Sequence, residues 1–93
     1  MAKPPRDFVP SLEVSLPNRT SAIFGRNLRR ARLRARLTQG DLARRKGLKQ
    51  QYISLIESGS QNVTILTADA LASAVGRELW TMVSTGGHPG IRS

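Results

Sequence analysis

Residues 37–59 decide the fold, and they read LTQGDLARRKGLKQQYISLIESG. The apolar spacing predicts two short helices, one at 38–46 and one at 49–57, separated by a tight turn. Gly47 stands where the first of these helices has to end, because glycine adopts the left-handed backbone conformation without a steric penalty. Leu48 comes next and is expected to fill the turn. The stretch therefore predicts a pair of closely packed helices that cross at a steep angle.

The ends and inner faces of these two helices are also marked in the sequence. Thr38 is a helix-capping residue, and Asp41 stands three residues later, as in a capping box. Gly59 lies just beyond the second helix, where a left-handed residue is expected. The positions expected to face inward are Leu42, Ala43, Ile53 and Ile56.

Three further helices are predicted around this pair. The first covers about residues 20–35, the fourth begins after Thr64 and ends before Gly76, and a last short helix covers 78–83. Their apolar stripes are Phe24, Leu28, Ala31 and Ala35 in the first helix, and Ile65, Ala68, Leu71, Ala72 and Val75 in the fourth. Helices joined by such short loops predict a compact all-α domain.

The domain is expected to span residues 21–85. Residues 1–20 hold four of the five prolines and form an N-terminal arm, while residues 86–93 are expected to form a flexible tail. Within the arm, Leu12–Leu16 alternates apolar and polar residues, the pattern of a short strand. Two interpretations stay open here: a disordered arm, or an edge strand used in dimer contacts.

The basic charge is concentrated in one part of the chain. The protein carries 15 Lys and Arg against 6 Asp and Glu, a formal net charge of +9. Residues 19–49 hold eleven of these bases and a single acid, Asp41. Such a concentration of basic residues is typical of nucleic-acid binders, although ribosomal and membrane-surface proteins are also basic. We therefore expect a polyanion to contact this part of the domain.

The composition excludes several functional classes. There is no cysteine and the single histidine, His88, has no companion ligand, so we expect no metal and no cofactor. No apolar run approaches the ~20 residues of a membrane span or the core of a signal peptide, which predicts a cytoplasmic protein without membrane contact. No catalytic Ser/His/Asp, Cys/His or paired-carboxylate set is present, so we do not expect an enzyme.

About two thirds of the chain, from about residue 23 to residue 83, resembles the helix-turn-helix regulators of the Cro and phage-repressor family, also called the xenobiotic-response-element family. The resemblance implies a five-helix, lambda-repressor-like DNA-binding domain and a transcriptional regulator, either a repressor or an autoregulator. The markers are Phe24-Gly25, Leu28, Arg32, Thr38-Gln39, Leu42-Ala43, Gly47, Ile53-Ser54, Ile56-Glu57, Gly59 and residues 62–75.

The resemblance also implies roles for single residues. Arg32 and Glu57 are expected to form a partly buried ion pair between the first and third helices. A glutamine can donate to N7 and accept from the N6 amino group of adenine, which makes Gln50 and Gln51 candidates for base recognition. Arg36 departs from the pattern, because the family often has glycine there; it is expected to change the helix end or to add a phosphate contact.

The complete set of candidates falls into three groups. Base contacts are assigned to Gln50, Gln51 and Ser54. Phosphate contacts are assigned to Gln39, Lys49, Arg26, Arg36 and Asn62. Leu66, Trp80 and Val83 fall outside the predicted core stripe and are assigned to a homodimer interface. A dimer of this kind would bind double-stranded DNA at a palindromic operator.

Several alternatives stay open on the sequence. The strings Gln51-Tyr-Ile-Ser, Ile56-Glu and Gln61-Asn-Val also resemble restriction-modification controller proteins. An antitoxin would instead use the arm at residues 8–16 to bind a partner toxin. For single residues, the alternative to base recognition is that Gln50 and Gln51 are merely solvated residues at a helix start. The alternative for most arginines of the first helix is that they form a solvated face.

Overall fold

The computed structural model describes residues 14–85, and this part of the chain is helical. The helices are α1 (Asn18–Arg34), α2 (Gln39–Lys46), α3 (Gln50–Glu57), α4 (Ile65–Ala74) and α5 (Leu79–Met82). α1 packs against α3, α4 and α5, and α2 packs against α3 and α4. The predicted all-α, five-helix fold is confirmed. Among the described residues, no helix is long and apolar enough to cross a membrane.

One apolar core joins the five helices. Its buried side chains are Phe24, Leu28, Ala31, Leu42, Ala43, Ile53, Ile56, Val63, Ala68, Leu71, Ala72 and Met82. Most of them occupy the stripes that the sequence spacing predicts. Ala35, predicted on the stripe of the first helix, is not part of the core. α1 ends at Arg34 and leaves Ala35 exposed at the helix cap.

The backbones of α1 and α3 meet at Gly25. A Cβ atom on this residue would lie 1.9 Å from the carbonyl oxygen of Ile56, far inside van der Waals contact. Only glycine allows so close an approach, because it has no side chain to separate the two helices. This contact seats α3 on the longest helix and leaves the opposite face of α3 outward.

Four helices end in the same hydrogen-bonded motif. The residues in the left-handed conformation are Arg36, Gly47, Gly59 and Gly76, with φ angles of 61°, 67°, 80° and 75°. Each donates its N–H to the carbonyl three residues back, and the following N–H reaches five residues back, over 2.8 to 3.3 Å. These are the bonds of a Schellman motif. Arg36 is the non-glycine member of the set, and the conformation costs an L-residue roughly 1 kcal/mol.

Residues 14–16, just before α1, are attached to the domain. Leu16 N donates to Val63 O over 2.8 Å, and Ile65 N donates to Val14 O over 3.0 Å, so the strand-like pattern pairs with the loop before α4 of the same chain. α1 then begins at Asn18, earlier than predicted and inside the segment assigned to the arm. Residues 1–13 and 86–93, which include most of the suggested toxin-binding arm and the tail, lie outside the described residues.

Candidate nucleic-acid interface

α2 begins in a complete capping box. Asp41 N donates to Thr38 Oγ1, and Thr38 N donates to Asp41 Oδ2, both over 2.9 Å. The hydrogen bond from the Thr38 backbone lowers the pKa of Asp41, so this carboxylate stays ionised and the cap is lost only in acid. Asp41 also accepts a bond from Arg44. The one acid of the basic segment is therefore already engaged within α2.

α3 has a buried face and an exposed polar face. Ile53 and Ile56 are fully buried, whereas Gln50, Gln51 and Ser54 are exposed. Positions 50, 51 and 54 share one side of a helix, because residues three and four apart lie one turn above each other. The three candidate base-contacting side chains consequently form one outward polar strip.

The start of α3 differs from the starts of α2 and α4. Thr38 and Thr64 cap α2 and α4 with side-chain hydrogen bonds, but Lys49, at the same position before α3, makes none. The first backbone N–H groups of a helix carry a partial positive charge and bind anions. Lys49 is also exposed and cationic, so the beginning of α3 is suited to a negatively charged ligand.

A buried ion pair fixes α3 against α1. Arg32 donates from Nε to Glu57 Oε2 over 2.7 Å and from Nη2 to Glu57 Oε1 over 2.9 Å. Its Nη1 donates to Leu37 O over 2.8 Å, which ties in the loop before α2. The hydrogen bond to Glu57 raises the pKa of Arg32, so this guanidinium group remains charged at any physiological pH. The bidentate geometry gives the pair orientation as well as energy.

Two glutamines connect α2 to α3. Gln39 Nε2 donates to Glu57 Oε1 over 3.1 Å, which orients the side chain and leaves its second amide N–H for another acceptor. Gln50 lies over the start of α2, since a Cβ atom on Gly40 would be 3.4 Å from Gln50 Oε1. Gln39 thus links α2 to the ion pair by a hydrogen bond, while Gln50 lies close to the start of the same helix.

The remaining candidates for phosphate contact occupy different places. Arg26 is exposed on α1, and Arg36 is exposed at the left-handed residue between α1 and α2. Asn62 is exposed in the loop after α3, where its Nδ2 donates to Asn18 Oδ1 over 2.7 Å. Lys49 therefore directly precedes the polar strip and Gln39 bonds to Glu57 of the same helix, while Arg26 and Asn62 are held by other elements.

Comparisons with known proteins agree with this arrangement. A family model described as helix-turn-helix matches residues 28–79, more than half of the chain. The chain belongs to the Cro and phage-repressor helix-turn-helix family. It is similar to an uncharacterized HTH-type transcriptional regulator, y4dJ, of Sinorhizobium fredii (strain NBRC 101917 / NGR234), with 41% identity over 54 residues, 58% of this chain and 70% of that protein. No solved structure gives a significant match.

Membership of this helix-turn-helix family indicates a protein of DNA-binding regulation and confirms the resemblance drawn from the sequence. In helix-turn-helix proteins the second helix of the motif enters the major groove, and α3 holds that position in the motif of this chain. The matched range contains α2, α3 and α4, with the ion pair and all three base candidates.

The candidate dimer residues divide into two groups in this helix-turn-helix domain. Trp80 is 64% exposed on α5 and Leu66 is 55% exposed on α4. Val83 is half-buried and packs against the core without being part of it, so it offers less exposed surface than Trp80 and Leu66. The short α5 ends at Met82, which turns the following residue back onto the domain.

Sequence reasoning missed Asn27, which joins α1 to α5. Its Nδ2 donates to Met82 O over 2.8 Å and to Ser84 O over 3.1 Å. A polar residue three positions after the buried Phe24 gives only a weak signal in the sequence, because such positions are usually solvated. Among residues 14–85, no group of three or more His, Cys, Asp or Glu is placed to hold a metal ion.

Proposed function

We propose that this protein is a sequence-specific regulator that binds double-stranded DNA and contacts base edges in the major groove with Gln50, Gln51 and Ser54. One observation carries the proposal: α3 exposes these three side chains as a single strip while its other face is fully buried. A major groove about 12 Å wide admits such a helix. The Arg32–Glu57 pair holds the helix in a fixed orientation relative to α1 and α2.

Backbone contacts would come from the surroundings of the strip. The second amide N–H of Gln39, the ammonium group of Lys49 and the backbone N–H groups at the start of α3 are all donors suited to phosphate oxygens. Arg26, Arg36 and Asn62 would add contacts from α1 and the loops. These donors fix the register of the protein on the duplex, and the glutamines supply the specificity.

The functional unit is proposed to be a homodimer on a palindromic operator. A single helix contacts only a few base pairs, so a second copy one helical turn away is needed to define a site. Trp80 and Leu66 are large exposed apolar residues on neighbouring helices, as expected at an interface between identical subunits. Occupation of an operator by such a dimer would repress the promoter, including that of its own gene.

Base recognition is tested by replacing Gln50 or Gln51 with alanine. Affinity for a site selected from random duplexes should fall by ~1–3 kcal/mol for each bidentate pair of hydrogen bonds removed. Affinity for a scrambled duplex should hardly change, because neither glutamine carries charge. Paired titrations of each variant on the two duplexes measure the specificity ratio, which is the affinity for the selected site divided by the affinity for the scrambled duplex.

Arg26→Ala is the matched control for a phosphate contact. It should weaken binding to both duplexes equally and make the salt dependence shallower, by roughly one unit in the log–log slope. If Gln50→Ala and Gln51→Ala both leave the specificity ratio unchanged, α3 is not the recognition helix.

The homodimer is tested with Trp80→Glu, which places a charge in the proposed apolar contact. The variant should sediment as a monomer and bind the selected site much more weakly, since a buried unpaired charge is costly. Leu33→Glu is the control, because Leu33 is also exposed, at 50%, but lies on α1. An unmodified protein that sediments as a monomer both free and on DNA contradicts the dimer.

A further inference from the structure

A second basic site lies on the flank of α1 that faces away from α3. Gly25 and Arg32 contact α3, while Asn27 lies on the other flank and holds the carbonyl groups of Met82 and Ser84. Beside Asn27, between α1 and α5, a cleft opens with a volume of about 130 Å³. The proposed function does not use this cleft.

Three arginines line the cleft. Arg30 and Arg34 come from α1, and Arg77 comes from the turn before α5. We call this the arginine cleft. No acidic side chain lines it, and the two salt bridges found within residues 14–85 lie elsewhere. Among the described residues, three cations therefore share a small space whose lining includes no carboxylate.

This arrangement places like charges close together, which raises the free energy of the domain and favours the binding of an anion. Arg30 and Arg34 lie one helical turn apart, a spacing at which like charges repel by a few tenths of a kcal/mol. A bound anion removes that repulsion. The base of the cleft is formed by the buried Ala31 and Met82, and apolar walls strengthen electrostatic attraction compared with water.

The arginines are also the principal donors available to a ligand. Both N–H groups of the Asn27 amide are used on backbone carbonyls, and Thr81 Oγ1 donates to Glu78 O over 2.7 Å. Guanidinium groups present forks of N–H donors that match the oxygens of phosphate in a bidentate manner.

The size of the cleft decides the class of ligand. Pockets that enclose whole small molecules measure ~300–1,000 Å³, so this cleft holds one compact group rather than an entire ligand. A phosphate offers more oxygens to three guanidinium forks than a carboxylate does. We propose that the arginine cleft binds a single phosphate group at a site separate from the polar strip of α3. That phosphate belongs either to a small phosphorylated molecule or to the backbone of a duplex passing along this flank.

The first experiment is an NMR titration of the isotope-labelled protein with inorganic phosphate at constant low ionic strength. We expect shifts of the Asn27 and Thr81 amides. The double variant R30Q/R34Q should lose about tenfold or more in affinity, because charge-assisted hydrogen bonds are removed. Arg77→Gln tests the opposite wall and should also weaken binding.

Arg29→Gln is the matched control. Arg29 is an exposed arginine on the same helix but does not line the cleft. Its replacement should leave phosphate affinity within about twofold, since it removes only a distant screened charge. All substituted side chains are exposed, so the variants should melt like the parent protein.

The source of the phosphate is separated by two further titrations. If the cleft takes a backbone phosphate, R30Q/R34Q should lower the salt slope of duplex binding by ~0.9 for each phosphate no longer neutralised, relative to Arg29→Gln. If it takes a free ligand, a nucleoside monophosphate should bind in the cleft and the slope should equal that of the control. Either result supports the proposal.

Three results overturn it. The first is the absence of shifts at Asn27 and Thr81 with inorganic phosphate. The second is a set of shifts that persists unchanged in R30Q/R34Q. The third is binding of an oligoglutamate peptide in the cleft without binding of phosphate, which would instead make this flank a docking surface for an acidic protein.

Discussion

The two flanks of α1 carry the same residue type in opposite situations. On the flank facing α3, Arg32 is only 7% exposed and both of its hydrogen bonds to Glu57 are short. On the flank facing α5, Arg30 and Arg34 are exposed and line a cleft whose described lining residues include no carboxylate. All three arginines lie within five consecutive residues of one helix.

The position of the nearest carboxylate, and not the sequence neighbourhood, therefore decides what each arginine does. A buried guanidinium is tolerated only when its donors are satisfied, as those of Arg32 are by Glu57 and Leu37. An exposed guanidinium has no such requirement and stays available for a ligand. Arg32 is consequently a structural residue, while its neighbours belong to the surface.

The largest loss of stability is expected on the flank of α1 that faces α3, where the two helix backbones are in direct contact at Gly25. Gly25→Ala would place a methyl group 1.9 Å from Ile56 O, so α1 and α3 have to separate. The free energy of unfolding should fall by at least about 3 kcal/mol, measured by urea denaturation. Gly40→Ala is the control, because its new Cβ would meet Gln50 Oε1 at 3.4 Å, an ordinary contact. Equal losses in the two variants would contradict the close approach at Gly25.

The next effect concerns the ion pair on the same flank. Glu57→Ala leaves Arg32 buried without a carboxylate and should cost about 3 kcal/mol. Asp69→Ala is the control, since Asp69 is exposed on α4, and its replacement should stay within ~0.5 kcal/mol. A small change for Glu57→Ala in urea unfolding would mean that Arg32 reaches solvent, as Arg30 and Arg34 do, or finds another partner.

The smallest effect is a gain in stability, and it concerns Arg36, an arginine whose backbone rather than side chain is constrained. Arg36→Gly relieves the left-handed conformation and should stabilise the domain by about 1 kcal/mol, while weakening binding to every duplex. Gly47→Ala is the reciprocal control, because its Cβ would meet no atom within 4 Å. The variant should lose about 1 kcal/mol in the free energy of unfolding, and that loss measures only the cost of the left-handed backbone conformation. If Arg36→Gly is stabilising but leaves DNA affinity and its salt slope unchanged, Arg36 is not a phosphate contact.

Local signals in the sequence were sufficient for the helices and most of their ends. Thr38, Thr64, Gly47, Gly59 and Gly76 act through bonds within a few residues, so their roles can be inferred without the fold. The errors came from packing between distant segments. α1 starts early after Pro17, next to a segment paired with the loop before α4.

Periodicity and capping are local properties, so the order of the five helices, the basic half of the domain and the polar strip of α3 could all be predicted from the residues alone. The family resemblance implied the Arg32–Glu57 pair, but helix packing decided which arginines line the cleft. It also brought Asn27 to the end of α5 and Arg77 to Arg30 and Arg34 across the cleft. These last relations link residues more than forty positions apart. The distances between these residues depend on how the helices pack, and they cannot be predicted from a local pattern of charges.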